Sequence, residues 1–391
     1  MSVNTMSFEQ AATLMNLIHQ QVTGDTSLTA TDVSSFITVA QKTLQTGYDP
    51  VINAISQIVG RTIFSIRPYS AKFGGIQMDT QKWGAITRKI ALSDKPFEDN
   101  EAFNLVDGQS IDCWKVNKPA AVQFNFYGFT TYAKSFTIFK DQLDSAFQGP
   151  EQFGSFMTMV VQNALDMLEQ AKESMARMAL GNFIAGKITA SNGVIHLLTE
   201  YNTETGMTPP LTATTVKDPA NFPAFIKWAY ARIATLTSLM TERSLEYQIQ
   251  VTGNELVRHT PYDRQKVYLY NWLLNNIDAR VLADTYNYKF LELSDVESVN
   301  YWQAIDTPDS IDILPTYLKN DGTLDSPGSA VSQSDIMGVI FDEEAIGITL
   351  QNEEVAVTPY NPAGSYWCQY HKAVIRYFND FTEKGLVLLL D

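Results

Sequence analysis

Apolar residues in the first sixty positions recur at helical spacing in three short runs. Ser7 and Gln10 have the spacing of a capping box, Asp32 precedes the second run, and Asp49 with Pro50 opens the third. The apolar positions of the first two runs are Phe8, Ala11, Met15 and Ile18, then Val33, Phe36, Ile37, Ala40 and Leu44. We expect an arm of three helices with few residues to bury. Because short helices are marginal alone, the arm should lie on the rest of the chain or on another molecule.

Between residues 61 and 140 the apolar pattern changes to a period of two, which is typical of half-buried strands. The apolar positions of one strand are Val122, Phe124 and Phe126, and those of an earlier strand are Trp83, Ile86 and Ile90. A polar connection at residues 94–112 separates the two. The pattern predicts a long two-stranded excursion. An isolated ribbon of this kind is marginally stable in water, so it needs a surface to lie against.

The longest helical pattern begins at Glu151, directly after Gly149 and Pro150. Apolar residues then recur at steps of three and four without keeping a strict heptad, so a coiled coil is not favoured. A helix from residue 151 to about residue 183 contains roughly 33 residues and is about 50 Å long by the rise per residue. The mean helix has about 12 residues, so this element is unusually long. We expect Gly186 to close it.

The rest of the chain alternates between strand and helix patterns. The predicted strands are residues 194–198, 247–252, 336–341, 366–378 and 386–390, and the predicted helices are residues 219–241 and 267–277. Asp321-Gly322 and Ser326-Pro327-Gly328 indicate a flexible segment before the last three strands. Those last strands contain no conspicuous reaction centre, and we expect them to close a sheet.

Composition limits the possible classes of protein. A chain of 391 residues predicts two or more subdomains, and 45% hydrophobic content is enough for packed cores. The net charge of −15 argues against nucleic-acid binding through a basic surface. The two cysteines, Cys113 and Cys368, suit a reducing compartment and form no metal-ligand spacing. Neither a membrane span of roughly 18 apolar residues nor a signal peptide is evident, so we expect a soluble cytosolic product.

Candidate chemistry is sparse. Residues 181–188 match a phosphate-binding loop until the last position, where Ile188 replaces the Ser or Thr that binds magnesium, and the preceding pattern is a helix instead of a strand. The four histidines are scattered. The acids Asp342, Glu343 and Glu344 could act in acid and base catalysis, but a solvated turn between strands is favoured. Trp83, Trp114, Trp302 and Trp367 fit a core or an interface better than carbohydrate stacking. We therefore predict no catalytic residues, no cofactor and no metal.

The order of these elements, together with three sequence segments, resembles the major capsid proteins of tailed bacteriophages. The segments are VESVNYWQAID at residues 296–306, GVIFDEEAIGITL at residues 338–350 and TPYNPAGSYWCQYHKAVIRYFNDFTEKGLVLLL at residues 358–390. The resemblance implies an α+β fold of the Johnson type. Its parts would be an N-terminal helical arm (1–60), an extended β loop (61–140), a peripheral domain with the spine helix (141–215), an axial domain (216–334) and C-terminal strands completing the peripheral domain (335–391).

The resemblance also implies function, partners and location. The chain would self-assemble, as pentamers and hexamers, into an icosahedral head shell that encloses DNA without sequence-specific binding. It would be made in the cytoplasm of the bacterial host and reside in the virion, with scaffolding, portal and decoration proteins as further partners and no membrane. A bacterial nanocompartment shell protein shares the fold and remains an alternative. An acidic soluble hydrolase with an unrecognised site is the second alternative.

In such coat proteins the extended loop lies across a neighbouring subunit, which would give the ribbon its missing surface. Basic residues are concentrated on the first strand of the ribbon, and acids are concentrated on the long helix. The candidate inter-subunit contacts are therefore Lys82, Trp83, Arg88 and Lys89 on the ribbon, and Asp166, Glu169 and Glu173 on the helix. Exposed ion pairs are weak singly, but repeated around a shell they can set the register of subunits.

Overall fold

The computed structural model describes residues 7–62, 73–78, 87–92, 103, 105–112, 114, 121–252, 256–277 and 296–391. The helices are α1 (Phe8–Thr23), α2 (Val33–Gln45), α3 (Tyr48–Thr62), α4 (Lys140–Ala146), α5 (Pro150–Ala190), α6 (Leu197–Thr205), α7 (Phe222–Thr241) and α8 (Asn271–Ile277). The first strands are β1 (Thr87–Leu92), β2 (Ala121–Phe126), β3 (Phe129–Phe139), β4 (Val194–His196), β5 (Gln265–Tyr270), β6 (Val296–Val299) and β7 (Ile311–Ile313). The remaining strands are β8 (Tyr317–Leu318), β9 (Leu324–Asp325), β10 (Val331–Gln333), β11 (Ile336–Asp342), β12 (Ile346–Val357), β13 (Tyr366–Asn379) and β14 (Gly385–Leu389).

The helical arm is confirmed as three helices. Ser7 and Gln10 form the predicted capping box at α1, and the side chain of Asp32 accepts a hydrogen bond from the backbone N–H of Ser35 at the start of α2. The apolar faces of α1, α2 and α3 pack together with the first half of α5 and with Trp367. The surface that the arm needs is thus provided within the chain.

Helix α5 contains 41 residues, which corresponds to about 62 Å and exceeds the predicted length. Its first half packs under the arm and its second half packs under the C-terminal strands, so one helix connects two cores. The prediction that Gly186 closes the helix is wrong, because the helix continues to Ala190 and ends at Ser191 with φ of 49°. Gly186 is needed for packing instead, since a Cβ there would lie 2.6 Å from the ring of Phe381.

The largest sheet has five strands in the order β4-β14-β11-β5-β6. Strand β11 pairs antiparallel with β14 and β5, while β4 and β6 add parallel strands at the two edges. Alternate residues of β11 contact opposite layers, so that Val339 packs against the second half of α5 and Ile340 packs against α7. Because both faces are covered, β11 and β14 are buried at every position.

A second sheet has three antiparallel strands in the order β12-β13-β3. Trp367 and Ile375 on β13 face the core, whereas Tyr370 and Lys372 on the opposite face are exposed. The last three predicted strands are confirmed, but they do not close a single sheet. Strand β13 belongs to this sheet together with β12, which was not predicted separately, and β11 and β14 belong to the five-stranded sheet.

The two-stranded excursion is confirmed as an antiparallel ribbon of β1 and β2. Of the predicted strand with Trp83, Ile86 and Ile90, only Ile90 lies within the described residues, and it is 70% exposed. After β2 the chain turns at Gly128 and enters the three-stranded sheet as β3. The close approach of Tyr377 requires this glycine, because a Cβ there would lie 2.6 Å from the backbone oxygen of Tyr377.

Three local predictions in the middle of the chain are wrong in whole or in part. Residues 194–198 form only the short β4, and Leu197 and Leu198 begin α6, where burial against α7 outweighs their strand propensity. Residues 247–252 are irregular and form no strand, because their backbone groups bond to other segments, as in the hydrogen bond from Ile249 N–H to the carbonyl of Phe381. Residues 267–277 divide into β5, which pairs with β11, and the short α8.

Candidate inter-subunit surface

The two faces of the ribbon differ because side chains alternate along paired strands. Arg88 lies opposite Asn125 and Ile90 lies opposite Gln123, and all four residues are exposed on one face. We call this the outer face of the ribbon. Lys89 lies opposite Phe124 on the other face, which we call the inner face.

The inner face packs on the body of its own subunit. The ring of Phe126 lies 5.1 Å from that of Phe378 between centroids. The backbone N–H of Tyr377 donates a hydrogen bond to the carbonyl of Gly128 at the base of the ribbon. Aromatic packing therefore fixes the point where the ribbon leaves the three-stranded sheet.

Lys89 brings a positive charge from the inner face to three carboxylates. Its Nζ lies 2.5 Å from Oε1 of Glu383, 3.1 Å from Oδ2 of Asp380 and 3.0 Å from Oε2 of Glu344. Burial alone would lower the pKa of Lys89, but the neighbouring Asp380 and Glu383 outweigh burial and raise it above the ordinary value. Lys89 is therefore held in its charged form.

At Glu383 the effect of burial on the pKa outweighs the effect of the neighbouring charges. Burial raises its pKa above the ordinary value, although Lys89 and Arg258 favour the charged carboxylate. Nη2 of Arg258 lies 3.2 Å from Oε1 of Glu383, so two cations share this carboxylate. Asp380 and Glu383 are only 2% and 5% exposed, which makes these positive partners necessary.

These carboxylates belong to a turn that sequence reasoning missed. The turn Asp380–Lys384 connects β13 to β14, and all five of its residues are buried. The carboxylate of Asp380 accepts hydrogen bonds from the N–H and the hydroxyl of Thr382, and Nζ of Lys384 donates to the carbonyl of Glu242. A charged run between two strands normally indicates an exposed turn. The only sequence signal for a buried turn was that the apolar runs of the two flanking strands continue up to it.

The predicted contact residues are in different situations within one chain. Lys82 and Trp83 lie outside the described residues. Arg88 is exposed, and Lys89 contacts acids of its own subunit. On α5, Asp166 is half-buried, Glu169 pairs with Lys172 at 3.1 Å, and Glu173 pairs with Arg177 at 2.7 Å. Among those contact residues that the structure describes, the basic and acidic groups of the hypothesis are not brought together within one subunit.

An open groove of about 670 Å³ lies between α4 and the beginning of α5. Asp141 and Glu151 line it, together with Phe156 and the exposed Met159. The two acids lie in the first turns of their helices, where negative charge favours the helix dipole. This arrangement is an acidic and apolar surface depression, and its lining includes no histidine or cysteine.

The remaining candidates for chemistry have structural roles. Residues 181–188 lie inside α5 and form no phosphate-binding loop. Asp342 is buried at the end of β11 and caps the turn by accepting from the N–H of Glu344, while Glu343 pairs with Arg264 at 3.2 Å. Among the described residues, no group of three or more His, Cys, Asp or Glu is arranged to hold a metal ion.

The tryptophans divide between core and surface. Trp302 and Trp367 are buried, and Nε1 of Trp302 donates a hydrogen bond to the carbonyl of Ile336. Trp114 is 89% exposed, and Trp83 lies outside the described residues. None of the helices described is both long and apolar enough to cross a membrane.

Comparison with known proteins identifies the family. The model of the Phi29-like phage major capsid proteins matches residues 14–384. None of the curated protein sequences matches the chain. The solved structures similar to the chain include two phage structures at 11% identity. The capsid structure of Staphylococcus phage Andhra covers 84% of this chain and 87% of its own chain with a TM-score of 0.54.

The second structure is that of the head fiber and inner core protein gp22 of native bacteriophage P68, which covers 82% of this chain and 85% of its own with a TM-score of 0.55. These likenesses show the fold, which is α+β and of the Johnson type. The family match favours neither a nanocompartment shell protein nor a hydrolase. The chain belongs to the Phi29-like phage major capsid proteins and is a structural protein of the phage head shell.

Proposed function

We propose that this subunit assembles with copies of itself, as pentamers and hexamers, into a closed icosahedral shell in which the outer face of the ribbon contacts a neighbouring subunit. The observation that carries this proposal is Ile90, which is 70% exposed near the exposed Arg88 on the outer face of the ribbon, a face that no layer of the described residues covers. Covering an apolar side chain that is exposed in this way is favourable, because it removes apolar surface from water.

The partner surface on the neighbour is acidic in this proposal. Asp166, Glu169 and Glu173 on α5 are the candidates, with Lys82, Trp83 and Lys89 accompanying Arg88 on the ribbon. Arg88 is the strongest donor, since Lys89 is engaged within its own subunit. Asp166 is the strongest acceptor, because Glu169 and Glu173 pair with cations along α5.

The parts of the fold suggest a division of labour. We assign residues 1–60 to the N-terminal arm, 61–140 to the extended loop, 141–215 to the peripheral domain and 216–334 to the axial domain. The pairing of β5 with β11 supports adding β11 and β14 to the axial domain. Strands β12 and β13 then complete the peripheral domain. In this division, residues 335–391 contribute to both the axial and the peripheral domain.

The wider role follows from a shell-building subunit. The shell encloses DNA without sequence-specific contacts, and the net charge of −15 supports this because an acidic wall does not bind phosphates. We propose that the protein has no enzymatic activity, is made in the host cytoplasm, and meets scaffolding, portal and decoration proteins during head assembly.

Negative-stain microscopy of the purified protein tests the proposal, with Arg88→Glu as the variant and Arg88→Lys as the matched control. We expect closed shells from the wild type and from Arg88→Lys. The charge reversal should raise the subunit concentration needed for shell formation at least about tenfold, which corresponds to about 1.4 kcal/mol of association free energy per subunit. Monodisperse wild-type monomers at high concentration would contradict shell building. Normal shells from Arg88→Glu would contradict the proposed contact between the ribbon and a neighbouring subunit.

A further inference from the structure

A cluster of charged side chains lies where the inner face of the ribbon meets the body of the subunit. It consists of Lys89 from β1, Glu344 from the turn after β11, Asp380 and Glu383 from the turn Asp380–Lys384, and Arg258 from the segment before β5. These residues are far apart in sequence. The ribbon contributes Lys89, and Arg264 also reaches the cluster, since its Nη1 lies 3.4 Å from Oε1 of Glu344.

Asp380 is the carboxylate of this cluster that depends most on Lys89 for compensation, since Glu383 also pairs with Arg258 and Glu344 also pairs with Arg264. Oδ1 of Asp380 is occupied by the N–H and hydroxyl of Thr382, while its buried Oδ2 lies 3.1 Å from Nζ of Lys89. Glu383 shares Lys89 with Asp380 and has Arg258 as its second cation. Removal of one partner from a buried ion pair leaves an uncompensated charge, which is strongly unfavourable.

The support beneath these carboxylates is firmly held. The ring of Phe381 stacks on that of Phe183 in α5 at 5.4 Å, and the carbonyl of Phe381 accepts from the N–H of Ile249. Nζ of Lys384 donates to the carbonyl of Glu242 and to the hydroxyl of Ser244. The turn is thus connected to the long helix and to the loop after α7. By contrast, the ribbon is a two-stranded element that gains little rigidity from its own ladder.

We propose that Lys89 acts as a latch, which holds the inner face of the ribbon on its own subunit and fixes the direction of the outer face before any neighbour binds. The inference rests on the proposed function only for its consequence in assembly, since the latch itself exists in the unassembled subunit. Pre-ordering the ribbon reduces the entropy that assembly must otherwise overcome. Arg88 and Lys89, adjacent in sequence, thus have separate roles.

Hydrogen exchange followed by mass spectrometry on unassembled subunits tests the latch. Lys89→Met removes the ammonium and keeps most of the aliphatic length, so amides of β1 and β2 should exchange at least about tenfold faster while those of the five-stranded sheet keep their rates. Lys134→Met is the matched control, because Lys134 is exposed on β3 and forms no ion pair with a described residue. Lys89→Arg should keep the wild-type rates. Unchanged exchange of the ribbon in Lys89→Met would overturn the proposal.

The variant Lys89→Met with Asp380→Asn covers the case in which Lys89→Met alone does not fold. The second substitution removes the carboxylate that loses its cation and keeps an oxygen that can accept from Thr382, so it should restore folding without restoring the latch. In the double variant, fast exchange confined to the amides of β1 and β2 would support the proposal. Exchange of these amides at the wild-type rate would overturn it. Because the subunits are unassembled, neither result depends on whether the ribbon contacts a neighbour in the shell.

Discussion

The five-stranded sheet and the two-stranded ribbon use similar β-branched and aromatic residues but are stabilised in different ways. Ile340 in β11 is completely buried between β5, β14 and α7, whereas Ile90 in β1 is 70% exposed. Layers cover both faces of the sheet. The ribbon has one face on the body and one face open. The comparison indicates that the sheet contributes most to the stability of the subunit, while the outer face of the ribbon stays open for the contacts between subunits that we propose.

The same substitution in the two regions should have very different effects on stability. Ile340→Ala removes buried atoms from a packed core and should lower the free energy of unfolding by about 2–5 kcal/mol. Ile90→Ala removes exposed atoms and should lower it by less than about 1 kcal/mol. Urea unfolding of unassembled subunits measures both values. Equal losses at the two positions would break the comparison between sheet and ribbon.

Two histidines whose pKa is lowered should make the body of the subunit sensitive to acid. His19 is buried in the arm with its Nδ1 2.9 Å from the hydroxyl of Thr43, and burial is the main cause that lowers its pKa below the ordinary 6.5. The folded arm therefore favours neutral histidine. Burial likewise lowers the pKa of His371 in β13. Stability from both groups is complete above pH 6.5 and declines as the pH falls below it, because the unfolded chain then binds more protons.

Thermal unfolding at about pH 7.5 and about pH 5.5 checks this sign. The wild type should have the lower midpoint at the acidic pH. In His19→Asn, which lacks the titrating ring, the difference between the two midpoints should be smaller. A variant with the full wild-type difference would show that His19 is not a source of the acid sensitivity.

Much of the fold could be predicted because local signals agreed with tertiary packing. The capping box at Ser7, the long run of α5 and the alternation in β2 each formed the predicted element. Residues 247–252 did not form a strand, because Tyr247 adopts φ of 67° and its carbonyl accepts from Lys187 and Gly385. Those partners are distant in sequence, so the local apolar pattern could not predict these hydrogen bonds.

The candidate surface was only partly predictable for a related reason. The alternation rule separates Arg88 from Lys89 once the register of the ribbon is known, but composition alone groups them as two basic residues. The charged turn Asp380–Lys384 has the sequence of a surface loop. Its burial depends on Lys89 and Arg258 arriving from other segments, which only the folded chain reveals.

Hydrogen exchange of assembled shells against unassembled subunits tests most directly the claim that the outer face of the ribbon is reserved for neighbours. We predict that amides of β1 and β2 gain protection of at least about tenfold on assembly, because a neighbour then covers the strands. Amides of β11 and β14, already buried, should change little. Ribbon amides that exchange equally fast in shells and in free subunits would contradict the account.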